Sequence, residues 1–109
     1  MEILFESAKL QKLCESQKEM QRVLGADGAR KLRTRLADLL AVEAVAELEA
    51  GNPHPLKGDR AGQFALNLHG GMRLVFEPAD EPIPRDTDDA IAWAQVKKVR
   101  IVFIGDYHD

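Results

Sequence analysis

His54–Phe76 reads HPLKGDRAGQFALNLHGGMRLVF, and its two parts obey different rules. The opening, HPLKGDRAG, holds Pro55, Gly58 and Gly62 with three charged side chains and reads as a loop. Beyond it the pattern has period two. Phe64, Leu66 and Leu68 alternate with Ala65, Asn67 and His69; Met72, Leu74 and Phe76 alternate with Arg73, Val75 and Glu77. The runs meet at Gly70-Gly71, so they form a hairpin. A two-residue turn would set Leu68 against Arg73 and mix polar with apolar on each face. A three-residue loop sets the leucines against leucine, methionine or phenylalanine, and burial of one face favours that register although Gly70-Gly71 suits the shorter turn. Asn67, His69 and Arg73 then share the face opposite the core.

Upstream, the Glu2–Glu6 run reads as a short strand closed by Ser7, a helix N-cap. Apolar residues recur at Leu10, Leu13, Cys14, Met20, Val23 and Leu24, and Ser16 with Glu19 forms a capping box where a helix restarts. Gly25 ends that segment. Leu32, Leu36, Leu39 and Leu40 then fall on one helical stripe, flanked by Arg30, Lys31, Arg33 and Arg35. These cations read as a solvated face that could also hold an acidic partner segment. Residues 42–50 read as a weaker helix stopped by Gly51-Asn52-Pro53. Downstream, residues 78–90 form a proline-rich acidic excursion, a helical turn follows in which Trp93 packs back, and Val96–Ile104 is a strand inside the sheet. Val99, Ile101 and Phe103 are expected on one face of it. The architecture is α+β: an N-terminal strand, helices, then a three-strand antiparallel meander with helices packed on one face.

At 109 residues the chain is a single domain, 1–109, able to bury about two-thirds of its unfolded surface. The one cysteine, Cys14, lies in an apolar helical pattern and suits a buried thiol. Without a signal-like N-terminus or a long apolar run, a cytoplasmic protein with no membrane contact is expected. Net charge is −3, but residues 77–95 hold six acids against one arginine, and without them the balance is +2. The charge is polarised, with a weakly basic patch around the hairpin. Such a patch is too weak to grip nucleic-acid phosphates tightly by charge alone.

The run Leu56-Lys57-Gly58-Asp59-Arg60, then Gly62-Gln63-Phe64, then Arg73-Leu74-Val75-Phe76, with the closing Asp106-Tyr107-His108, resembles the HigB-type killer toxins of the RelE/ParE superfamily. The resemblance spans nearly the whole chain. It implies a RelE/ParE-like fold and the toxin of a type II toxin–antitoxin system, a ribosome-dependent endoribonuclease acting on messenger RNA without metal or other cofactor. The implied partners are a cognate helix-turn-helix antitoxin (HigA-like), the ribosome and its messenger, with operator DNA reached only through the antitoxin. Arg73, Tyr107, His108 and His54 are the expected catalytic residues. Lys57 and Arg60 are expected to bind RNA, and the strand geometry adds Asn67 and His69.

Chemistry supports that set. Attack of an RNA 2′-hydroxyl on the adjacent phosphate needs a base, an acid and cations around the phosphorane. Histidine suits the first two because its pKa of about 6.5 lets it exchange protons near neutrality, and Arg60 and Arg73 can grip a phosphate bidentately. Singly, each residue has a plainer reading: His54 and His69 as loop residues, Arg60 paired with Asp59, His108 as a tail. A competing reading keeps the fold without the chemistry, as a gyrase-binding poison or an inactive regulator of the toxin–antitoxin complex; the acidic balance favours it.

Overall fold

The computed structural model describes residues 1–107. Strand β1 (Glu2–Phe5) runs into Ser7, whose hydroxyl accepts from the Leu10 amide at 3.2 Å and starts α1 (Ala8–Glu15). Ser16 closes that helix and opens α2 (Gln17–Ala41), its hydroxyl accepting from the Glu19 amide at 3.2 Å. One serine at the junction lets the chain turn while its side chain meets one of the first-turn amides of the new helix. At Gly25 the backbone leaves the helical region (φ 75, ψ 175), a conformation open to glycine, so α2 is two helical segments joined at a kink.

The sheet is completed by β2 (His54–Pro55), β3 (Phe64–Asn67), β4 (Arg73–Pro78) and β5 (Lys98–Gly105), in the order β1-β5-β4-β3-β2. Strands β2 to β5 pair antiparallel, while β1 adds parallel to β5. The expected meander is therefore the centre of a wider sheet: β2 extends one edge and β1 covers the other flank of β5. The hairpin has the predicted register, Leu66 opposite Leu74 and Phe64 opposite Phe76 around a three-residue loop. Leu66, Leu74, Phe76, Val99 and Ile101 are fully buried and pack in one cluster with Leu13, Cys14, Met20, Ala29, Leu32 and Leu39 of the helices.

Three expectations change. Residues 42–50 hold only a 3-10 turn at Val45–Glu47, not a helix. In α2 Leu40 is 63% exposed whereas Arg35 is buried. At 3.6 residues per turn Leu40 stands about 80° from Leu32, and Arg35 only about 60° to the other side, so the buried arc takes in the arginine and leaves out the leucine. In β5 the pairing slips between Val75 and Phe76: Val75 meets Phe103 while Phe76 meets Ile101. Val102 is thus an extra residue, a bulge that turns Phe103 away from the face of Val99 and Ile101. The acidic excursion is irregular, as expected, and its own carboxylates tie it down. Asp80 accepts from the Lys97 and Lys98 amides (3.1 and 3.2 Å), Asp86 from those of Asp88 and Ala90 (2.8 and 3.0 Å), and Trp93 packs 4.8 Å from the Phe64 ring.

Among the described residues no helix is long and apolar enough to cross a membrane. Cys14 is buried, and burial together with the Glu15 charge pushes its thiol up to about 12. At pH 8 the native thiol is then protonated and shielded, and iodoacetamide should label it only under denaturing conditions. The protonated thiol favours the folded state fully below the unfolded pKa of about 9. That contribution is lost as pH rises from about 9 towards 12, so a titration of Tm should fall across this alkaline window.

Candidate functional site

Pairing of β4 with β5 sets Arg73 opposite Gly105, so Tyr107 emerges two residues beyond the hairpin arginine. The bulge at Val102 brings Phe103 to the same side. Its ring leans back over Gly105, where a Cβ would come within 2.9 Å of the ring's Cζ, and meets Tyr107 edge-on at 6.2 Å. The loop before β3 supplies the third member. Arg60 donates to the Gln63 side-chain oxygen at 3.0 Å, and its guanidinium carbon lies 4.5 Å from the centre of the Phe103 ring and 5.3 Å from that of Tyr107. Gln63 and two aromatic faces, not the adjacent Asp59, hold this arginine.

Leu56, Lys57, Gly58, Asp59, Arg60, Phe103, Asp106 and Tyr107 line an open groove of about 840 Å³. A smaller recess of about 200 Å³ adjoins it, lined by Asn52, His54, Asn67, Gly71, Arg73, Asp106 and Tyr107. Asp106 and Tyr107 belong to both. His54 Nδ1 lies 2.7 Å from the Asn52 carbonyl. A carbonyl only accepts, so Nδ1 carries the hydrogen and Nε2 of the neutral ring keeps its lone pair. Arg73 donates through Nη1 to the Met72 and Gly70 carbonyls at 3.0 and 3.3 Å, which folds its head over the hairpin loop at the rim of the recess.

His54, Lys57, Arg60, Asn67, Arg73 and Tyr107 are thus brought to one pair of adjoining cavities. His69 is not. It sits on the hairpin loop against α2, in a separate recess of about 280 Å³ with Asp27, Arg30, Lys31 and Thr34, so the expectation that it shares a site with Asn67 and Arg73 is corrected. The odd loop carries it past the strand alternation that was used to place it. His108 lies outside the described residues. Phe103 was missed because an unbroken apolar run conceals a bulge. Asp106, which interacts within the structure, was read only as part of the terminal motif. Lys57 and Arg60 are balanced in the larger groove by Asp59 and Asp106, so the cavity is less basic than the segment count predicts.

No family model and no curated protein matches the chain. Solved structures do. The chain is similar to the YoeB/ParE toxin from Agrobacterium tumefaciens, with a TM-score of 0.63 at 14% identity over 99% of this chain and all of that one. The fold is that of the YoeB/ParE toxins. The YoeB–YefM complex from Staphylococcus aureus gives 0.59 at 16% identity, covering 100% of this chain and 98% of that one. The YoeB dimer from the same organism gives 0.56 at 17%, again covering 100% and 98%. The superpositions establish shared architecture over nearly the whole chain. What its cavities do rests on the residues that line them.

Proposed function

We propose that the protein is the toxin of a type II toxin–antitoxin pair, and that it cleaves messenger RNA on the ribosome as a HigB-type enzyme. The observation that carries this reading is the recess where His54, Arg73 and Tyr107 meet, beside a groove walled by Arg60, Phe103 and Lys57. Aromatic faces and an arginine plane take an unstacked base, as single-stranded RNA requires. His54 Nε2 takes the proton of the 2′-hydroxyl. The oxygen bonds to phosphorus, the P–O5′ bond breaks, and the products are a 2′,3′-cyclic phosphate and a 5′-hydroxyl. Arg73 and Arg60 stabilise charge on the phosphorane, and the Tyr107-His108 end supplies the proton for the leaving oxygen. Asn67 and Lys57 contribute binding, and His69, on its separate recess, contacts RNA outside the cleavage site.

A cognate HigA-like antitoxin with a helix-turn-helix domain, which alone would contact operator DNA, is the proposed partner; the S. aureus neighbour is itself a YoeB–YefM complex. The surface suited to an acidic segment of it is Arg30, Lys31 and Arg33 on α2, exposed beside the apolar stripe. Arg35, expected in that set, is buried and drops out.

The balanced charges of the larger groove favour a second reading, a non-catalytic binder such as a gyrase poison. Primer extension on translated messenger with purified protein separates the two. Cleavage that requires ribosomes supports the enzyme; intact messenger together with stalled gyrase supports the binder and rejects the enzyme.

A further inference from the structure

Arg35 is the buried charged side chain among the described residues, 9% exposed. A guanidinium in that setting is costly unless its donors are met. Nη1 pairs with Asp38 at 2.7 Å, which ties it to its own helix. Nε reaches across to the sheet and donates to the Asn67 carbonyl at 3.3 Å. The same side chain lies against Gly51. There φ is +86 and a Cβ would come within 2.8 Å of Nε and 3.0 Å of Cδ, so only glycine lets the arginine pass. The triangle is closed by the Asn67 amide, which donates to the Gly51 carbonyl at 2.7 Å.

Each corner leads to the recess. Gly51 precedes Asn52, whose carbonyl fixes the His54 imidazole. Asn67 stands opposite Arg73 in the β3–β4 register, and Asn52, His54, Asn67 and Arg73 all line the same cavity. Among the described residues the side-chain oxygen of Asn67 is buried with no hydrogen-bond partner, so there it anchors nothing. Its backbone does the holding, through Gly51 on one side and Arg35 on the other. The Asp38 pair engages Nη1 alone, so the buried guanidinium needs a further acceptor, and the one its Nε takes is the Asn67 carbonyl. The link to a carbonyl at the edge of the recess, with a glycine required to make room, ties α2 to the spacing of the groups that would act on RNA.

We propose that Arg35 is a positioning residue: through the Asn67 carbonyl and the Gly51 backbone it sets the distance between His54 and Arg73. This rests on the cleavage reaction proposed above. The test compares wild type, Arg35→Lys and Arg35→Met by melting temperature, by kcat and KM for cleavage of translated messenger, and by NMR of the His54 imidazole and hydrogen exchange at the Asn67 amide. In Arg35→Met kcat should fall by about 100-fold, the cost of a misplacement of about 1 Å, with KM little changed at temperatures where the protein is folded. Arg35→Lys should fold and recover part of the loss. In both variants the His54 resonances should shift and the Asn67 amide should exchange faster. The proposal is overturned if activity falls only in step with the folded fraction, or if a folded variant leaves the His54 and Asn67 signals unmoved. Should wild type never cut messenger, those two signals still decide the positioning claim, so the failure of one reading is distinct from that of the other.

Discussion

Arg73→Ala should lower ribosome-dependent cleavage of messenger by roughly 100-fold or more while leaving the melting temperature nearly unchanged. The two expectations have separate causes. In the structure the Arg73 head donates to the carbonyls of Met72 and Gly70 at the edge of the hairpin loop. One of these bonds is exposed and the other only part-buried, so water replaces the lost partner and the net cost to stability is small. Losing one charge from a phosphorane site is a larger matter, because the site's donors act on charge that develops only in the transition state; single donors of this type are worth about 100- to 1,000-fold. Arg73→Lys should fall between, since it keeps the charge and loses the planar fork. The check is kcat/KM by primer extension beside a thermal melt. A folded Arg73→Ala protein that cuts as fast as wild type removes Arg73 from the chemistry.

The same arginine shows where sequence reasoning reached and where it stopped. Its register was legible because Leu66, Leu68, Leu74 and Phe76 can share a buried face only if an odd loop joins the strands, and the structure pairs them in that way. The capping serines were legible too, since Ser7 and Ser16 satisfy specific amides. Arg35 was not. A charged residue at the margin of a leucine stripe looks solvated until the chain beyond Gly51 is seen to fold back over it. Phe103 was hidden by the Val102 bulge, because β5 is apolar on both sides of it and alternation carries no signal there. The site as a constellation was legible only in part: resemblance supplied His54, Arg60, Arg73 and Tyr107, while their meeting depends on a strand order that no local pattern encodes. His69 was misplaced for the converse reason, since alternation was extended one residue past the end of β3 into the loop.

Leu66→Ala should be among the most destabilising single changes in the protein, by about 2–5 kcal/mol. Leu66 is fully buried, opposite the equally buried Leu74, and belongs to the cluster that joins the sheet to the helices. Truncation loses the transfer free energy of the removed atoms and leaves a cavity that flanking strands, pinned by their ladders, cannot close. Against a total stability of about 5–15 kcal/mol this is a large fraction, and Tm should drop by some 4 °C or more for each kcal/mol. Asn67→Ala, one residue on and facing the other way, should be neutral or slightly stabilising. It removes a buried acceptor that has no partner among the described residues, a group whose burial costs about 1–3 kcal/mol, and it leaves intact the backbone bonds that hold the strand end. Urea melts of the two variants should therefore differ widely in midpoint at equal slope. Equal losses, or a larger loss for Asn67→Ala, would mean that β3 presents its faces the other way round, and with it Arg73 would turn into the core and out of the recess.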